Sequence, residues 1–142
     1  MSGYKRIVVA TDGSPASLRA VAEAARLAKE DSGRLILLYV ANTGAQEASV
    51  KLWENVKRAF LEEGQAALKV AEAVADELRV PLKSRLEEGY PSERIVEVAQ
   101  AEEADLIVVG CRGRSRLAKM LLGSVASRVI AAAHCPVLVV RD

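Results

Sequence analysis

The sequence predicts an α/β protein with a Rossmann-like, open parallel sheet. Short apolar runs rich in β-branched residues alternate with stretches of helical apolar spacing, which gives five strands and four helices. Parallel strands joined by crossover helices carry helices on both faces of the sheet. With 142 residues, 51% of them hydrophobic, the chain fits a single domain spanning residues 1–142.

The first strand and helix follow from residue type and spacing. Lys5 to Thr11 is a continuous β-branched run, typical of a strand covered on both faces. Ser14 is placed to cap a helix whose first position is Pro15, a residue favoured there because its fixed φ suits the helix. Leu35 to Val40 predicts a second buried strand.

The middle of the chain predicts a long helix, an edge strand and a short helix. Apolar residues recur at helical spacing from Val50 to Leu78, with Gly64 as the predicted weak point of that helix. Leu82 to Glu88 alternates apolar and polar residues, which suits a strand near a sheet edge with one wet face. A short helix then ends near Glu103.

The last third predicts two strands around one more helix. Leu106 to Val109 is an apolar run closed by Gly110, and Val137 to Val140 is a final apolar strand. Ser124 is the predicted N-cap of the helix between them. The apolar stripe of that helix comprises Val125, Val129, Ile130 and Ala133. We expect His134 to cap the end of this helix and Cys135 to pack in the core.

Glycines and positive charge coincide in one stretch. Gly110, Gly113 and Gly123 lie between the fourth strand and the last helix, where backbone N–H groups can approach a phosphate closely. From Leu106 to Arg141 there are six basic residues and no acidic one, although the whole chain has a net charge of only +1. This pattern favours a small anionic ligand over nucleic acid, which usually requires a strongly basic domain.

A second polar loop is expected beside the glycines. In open parallel sheets, ligands bind at the carboxyl ends of the strands where the winding direction reverses. If the strand order is 3-2-1-4-5, strands one and four are neighbours, and Thr11 to Ser14 and Gly110 to Ser124 flank one crevice. Periodicity does not fix that order, which is an assumption at this point.

The chain resembles the universal stress protein family from end to end, in IVVATDGSPAS near the start and DLIVVGCRGRSRLAKMLLGSVASRVIAAAHCPVLVVR at the end. Its glycine spacing, two residues and then nine, with Ser124 after the last glycine, is similar to the nucleotide signature of the ATP-binding members. The resemblance implies the strand order 3-2-1-4-5, binding of ATP (or ADP or AMP), and a homodimer.

The resemblance also implies a set of binding residues. Those near the adenine and ribose would be Thr11, Asp12, Gly13, Ser14 and Val40. Those near the ribose and phosphates would be Gly110, Arg112, Gly113, Gly123, Ser124 and Val125. Asp12 is either a simple turn-former or a ligand contact, made to the ribose hydroxyls or through Mg²⁺ to phosphate.

These observations support two functional hypotheses. The first is an ATP-binding, nucleotide-dependent sensor or regulator in the stress response, with at most slow hydrolysis because neither a Walker lysine nor a base for the attacking water is evident. The second is a dimeric protein-interaction module that does not require nucleotide. An adenylyl or phosphoryl transferase would need a catalytic His or Lys cluster, for which the sequence gives no indication.

The sequence also predicts self-association, the absence of membrane association and the cellular location of the protein. Val137 to Val140 would be an apolar edge strand, which invites pairing with a second copy, and a further protein partner is unidentified. Apolar runs are too short to span a bilayer, so we expect no membrane association. The start of the chain lacks the pattern of an export signal, and we expect a cytoplasmic location.

Overall fold

A computed structural model describes residues 3–43, 50–111 and 122–141. In chain order the elements are β1 (Arg6–Ala10), α1 (Pro15–Asp31), β2 (Arg34–Ala41), α2 (Val50–Asp76), β3 (Leu82–Glu88), α3 (Pro91–Ala101), β4 (Leu106–Gly110), α4 (Ser124–Ala132) and β5 (Val137–Val140). The strands form one sheet in the order β3-β2-β1-β4-β5, and all neighbouring pairs are parallel. The predicted fold class and strand order are confirmed.

The sheet separates two apolar cores. Successive side chains of a strand point to opposite faces, so Ile7 and Val9 of β1 join the core beneath α1 and α2, whereas Val8 joins the core beneath α3 and α4. All three are fully buried. This double coverage is the reason that the central strands are apolar throughout rather than alternating.

The long helix α2 runs without interruption through Gly64. The predicted weakening at this glycine is wrong, because the residue serves a close contact instead. A Cβ atom there would lie 2.6 Å from a ring carbon of Tyr39 and 2.7 Å from a methyl carbon of Leu86. Glycine therefore lets α2 approach the sheet. In the described part of the chain, none of the helices combines the length and the apolar content that crossing a bilayer requires.

Edge strand β3 has one apolar and one charged face, as its alternation predicts. Leu82 and Leu86 pack against the core beneath α2. On the other face, Arg85 forms ion pairs with Glu87 and with Glu102 of the α3–β4 turn, each at 2.8 Å. These pairs tie the wet face of the edge strand to the end of α3.

Arg94 in α3 completes this charged network. Its guanidinium donates to Glu87, and this hydrogen bond lowers the pKa of the Glu87 carboxyl below its ordinary value of 4.5, with Arg85 acting in the same direction against the effect of burial. The pKa of Glu102 is also lowered, since hydrogen bonds from Lys83 and Arg85 outweigh the opposing effect of burial. Both carboxylates are thus ionised in the folded protein at neutral pH.

We expect Glu87→Gln to reduce the stability of the protein at neutral pH but not in acid. A carboxyl whose pKa is lowered on folding contributes stability above its unfolded pKa, and this contribution is lost as the pH falls through the folded value. Urea unfolding from about pH 7 down to about pH 3 measures the difference between the two proteins, which should shrink below the ordinary value of 4.5.

Glu97→Gln is the matched control for this experiment. Glu97 also pairs with Arg94, at 2.7 Å, but 59% of its side chain is exposed, and exposed pairs contribute little. A pH-independent difference between wild type and Glu87→Gln would contradict the assignment.

Candidate functional site

The turn between β1 and α1 is held by hydrogen bonds among its own residues. The N–H of Ser14 donates to Asp12 Oδ1 at 2.9 Å, and the N–H of Ser17 donates to Ser14 Oγ at 3.2 Å. Ser14 is therefore the N-cap of α1, with Pro15 in its first turn, as the sequence predicts. Gly13 has a φ of +85°, a conformation that favours glycine.

Thr11 anchors this turn in the sheet. Its N–H donates to the carbonyl of Leu38 at 2.9 Å, which continues the pairing of β1 with β2. Its hydroxyl lies 3.0 Å from Ser17 Oγ, and Thr11 is only 4% exposed. Val40, on the α3–α4 side of the sheet, is half-buried near the carboxyl end of β2. Thr11 and Val40 thus both lie where strands of the sheet end.

The carboxyl end of β4 lies against the first turn of α1. A Cβ atom at Gly110 would be 3.2 Å from both the carbonyl carbon and the carbonyl oxygen of Ala16, a distance that side chains seldom tolerate. β1 and β4 are hydrogen-bonded neighbours, which confirms the predicted adjacency. The end of β4 and the β1–α1 turn therefore lie side by side at the carboxyl end of the sheet.

Helix α4 begins without a side-chain cap. Gly123 is its N-cap, with φ −71° and ψ 162°, and its carbonyl accepts the N–H of Ser127 at 3.0 Å. The prediction that Ser124 caps this helix is wrong, because Ser124 already has helical geometry as its first residue. Gly123 has no side chain that could accept the first N–H groups of the helix. Within residues 3–43, 50–111 and 122–141, no side chain caps the start of α4, whereas Ser14 caps that of α1.

Cys111 connects the start of α4 to β5. Its carbonyl accepts the N–H of Gly123 at 2.6 Å, and its own N–H donates to the carbonyl of Val140 at 2.9 Å. The residue is 5% exposed. Residue type does not predict this role, since both bonds are made by the main chain; the position of Cys111 directly after β4 was the available signal.

Ser17 is a second residue that the sequence analysis missed. Its hydroxyl donates to the carbonyl of Ser14 at 2.9 Å and accepts the N–H of Asp12 at 3.3 Å. A serine three residues after a serine N-cap was the available signal. Ser17 is buried, and it fixes the shape of the turn from below.

Two predicted binding residues, Arg112 and Gly113, lie outside the described residues, as do Arg114, Arg116 and Lys119. Of the predicted set, the structure brings five residues together at the carboxyl end of the sheet: Thr11, Asp12, Gly13, Ser14 and Gly110. Gly123 lies at the same end, where its N–H bonds to Cys111.

Helix α4 exposes much of its predicted apolar stripe. Val129 is buried, but Val125 is 36% and Ile130 is 48% exposed, so the prediction that both belong to the inward stripe is wrong. The nine-residue helix buries only Ala126 and Val129. β5 lies at the sheet edge, and all its residues are half-buried. Both α4 and β5 thus leave apolar side chains partly exposed.

The end of α4 differs from the prediction in one residue. The C-cap is Ala133, whose N–H donates to the carbonyl of Val129, and His134 is exposed beyond the helix. Cys135 packs partly against the α3–α4 core, as predicted. Burial raises the pKa of its thiol, and the negative charge of Asp105 adds to this. Cys135 is therefore a packing thiol rather than a reactive one.

Comparison with known proteins decides the family. The model of the universal stress protein family matches residues 3–141. The chain belongs to the universal stress protein family. It is 44% identical to universal stress protein MJ0531 of Methanocaldococcus jannaschii, over 97% of this chain and 82% of that protein. It is 33% identical to universal stress protein YxiE of Bacillus subtilis, over 97% and 99% of the two chains.

Solved structures of universal stress proteins share the fold. The structure of UspA from Lactobacillus plantarum superimposes with a TM-score of 0.86 and 29% identity, over 99% of this chain and 100% of that one. A universal stress protein crystallised in complex with cAMP superimposes with a TM-score of 0.73 and 32% identity, over 98% of each chain.

The two serines at the helix starts should respond differently to substitution. We expect Ser14→Ala to lower the free energy of unfolding by about 1 kcal/mol, since the hydroxyl caps α1. The exposed Ser124 is not a cap, so Ser124→Ala should change stability by less than about 0.5 kcal/mol. Urea unfolding compares both variants with wild type, and equal losses would contradict the assignment of Gly123 as the N-cap.

Proposed function

We propose that this universal stress protein binds an adenine nucleotide, with ATP as the expected ligand, between the β1–α1 turn and the start of α4. The observation that supports this most strongly is the contrast between two neighbouring helix starts. Ser14 accepts a hydrogen bond from the start of α1, whereas the N-cap of α4 is a glycine, and no side chain of the described residues caps that helix. An uncapped helix start attracts phosphate through these donors and the helix dipole.

The phosphates are proposed to lie at the start of α4. Ser124 and Val125 supply main-chain N–H groups, and Gly123 lets an anion approach without a Cβ atom in the way. In the sequence, the basic residues from Arg112 to Lys119 add positive charge between Cys111 and this helix. Arg112 and Gly113 belong to the proposed site on sequence grounds alone.

The adenine and ribose are proposed to lie toward β1 and β2. Asp12 and the main chain of Thr11 and Gly13 border this side, and Val40 is near enough to the strand ends to contact a base through its main chain. Ser14 has a structural role on this side of the proposed site, since its hydroxyl accepts the N–H of Ser17 as the N-cap of α1. Mg²⁺ commonly binds through one carboxylate together with the phosphates of its nucleotide, and Asp12 fits that role.

The cAMP complex of a 32% identical family member supports an adenine nucleotide as the ligand class and makes cAMP a rival to ATP. We assign no catalytic residue. The proposed role is a cytoplasmic regulator whose bound nucleotide controls its contacts with a further protein during stress.

ATP with Mg²⁺ should stabilise the folded protein against heat. At about one hundred times its dissociation constant, a ligand that binds only the native state adds about 2.7 kcal/mol. Thermal unfolding with ATP, ADP, AMP and cAMP, each with and without Mg²⁺, measures the gain. Unchanged melting curves with all four nucleotides would refute nucleotide binding and favour the nucleotide-independent interaction module.

Gly123→Val tests the location of the phosphates. The backbone of Gly123 has a φ that any residue adopts, so the variant should fold, but its side chain would block the start of α4 and abolish the stabilisation by nucleotide. Ala131→Val, an exposed change on the same helix away from its start, is the matched control and should keep it. Retained stabilisation in Gly123→Val would place the phosphates elsewhere.

We further propose that two copies pair through β5. The N–H of Ile107 donates to the carbonyl of Pro136, and that of Cys111 to Val140. Because donors alternate along a strand, the N–H and C=O groups of Val137 and Val139 point away from β4. An apolar edge with unpaired main-chain groups is suited to a second copy related by a two-fold axis.

Val139→Pro should convert a dimer to a monomer. Proline removes an outward donor and leaves the bonds between β4 and β5 in place, because Val139 does not contribute its N–H to them. Sedimentation velocity over a range of protein concentrations compares the variant with wild type. A wild-type protein that remains monomeric at all concentrations would refute the pairing.

The control is a proline on the opposite edge. Leu35 donates to Pro81, and Gly89 to Ala41, so the N–H of Ser84 in β3 points outward as well. Ser84→Pro should leave the dimer unchanged. Loss of the dimer in both variants would show a general effect of proline rather than pairing through β5.

A further inference from the structure

The proposed nucleotide site and the proposed dimer edge meet at one residue. Cys111 accepts a hydrogen bond from Gly123, the N-cap of α4, and donates one to Val140, the last residue of β5. Both bonds use the main chain, at 2.6 and 2.9 Å. Cys111 is therefore hydrogen-bonded both to the start of α4 and to the end of β5.

The surroundings of Cys111 restrict how it can move. Directly before it, Gly110 lies against the first turn of α1, with a Cβ position 3.2 Å from Ala16. The Cys111 side chain is almost completely buried. Cys111 is thus enclosed while its main chain bonds to both Gly123 and Val140.

Of the two segments bonded to Cys111, the end of β5 is the less firmly held. Val140 is the last residue of a four-residue edge strand, is only half-buried, and is followed by the exposed Arg141. The bond from Cys111 holds its carbonyl to the sheet. Strand ends of this kind fray readily, so a small change in free energy alters the fraction of molecules in which the end of β5 is bonded to the sheet.

We propose that nucleotide binding at α4 and pairing of β5 with a second copy strengthen each other through Cys111. The inference rests on the proposed function. A phosphate at the start of α4 fixes Gly123, the bond from Gly123 fixes Cys111, and the bond from Cys111 holds the end of β5 in the conformation that pairs. By linkage, pairing then favours nucleotide binding at each site, and the two sites of a dimer contribute equal factors to the pairing constant.

The test measures both directions of this linkage on the intact protein. Sedimentation equilibrium gives the dimer dissociation constant without ligand, with saturating ATP and Mg²⁺, and with saturating cAMP. Calorimetry gives the nucleotide dissociation constant of the wild-type dimer and of the monomeric Val139→Pro variant, with Ser84→Pro as the control for proline on an edge strand.

We expect nucleotide to lower the dimer dissociation constant by at least about fivefold, and Val139→Pro to weaken nucleotide binding at each site by about the square root of that factor, since each copy in the dimer carries one site. Cys111→Pro, which lacks the N–H that bonds Val140, should remove the linkage. Should this variant fail to fold, the two wild-type measurements and Val139→Pro still decide whether nucleotide binding and pairing are coupled.

Each outcome has one meaning. Nucleotide binding with an unchanged dimer dissociation constant would overturn the coupling and leave the proposed function intact. Full coupling in a folded Cys111→Pro would overturn the route through Cys111. Absence of any nucleotide binding would overturn the proposed function, and the coupling with it.

Discussion

The contact between Gly110 and Ala16 is the constraint on which the carboxyl edge of the sheet depends. With a Cβ position 3.2 Å from the main chain of Ala16, a side chain at Gly110 would be in unusually tight contact, and glycine lets α1 begin directly against the end of β4. This approach brings two polar segments that are distant in sequence to one place. The next residue, Cys111, makes the bonds to Gly123 and Val140.

Helices α1 and α4 both begin at the carboxyl end of the sheet, but their first turns are capped in different ways. The start of α1 is rich in hydroxyl and carboxylate groups, which resembles a phosphate loop, yet Asp12, Ser14 and Ser17 bond to their own turn. At the start of α4, the N-cap Gly123 has no side chain that could accept from the helix. The residues with many polar atoms thus bond within their own turn, whereas the glycine N-cap makes no side-chain bond of this kind. Polarity in the sequence is a poor guide to which groups can meet a ligand.

The sequence was sufficient for the strands and the first helix, because β-branched runs and a serine followed by proline act locally. It was insufficient where the outcome depends on distant residues. Gly64 looked like a helix weakness, but its role is set by Tyr39, which a later helix must approach. Ser124 and Gly123 are both acceptable caps, and only the hydrogen bond from Ser127 decides between them. Main-chain bonds such as those at Cys111 leave no mark on residue type.

The two edges of the sheet are chemically unlike. β3 carries charged residues that are tied to α3 and its following turn, and charge on an edge opposes the addition of another strand. β5 is apolar along its length. In the proposed pairing, a copy that has used β5 has no equivalent edge strand left to offer. Association by this route would therefore stop at two copies, and a higher protein concentration would populate that dimer without starting a fibre.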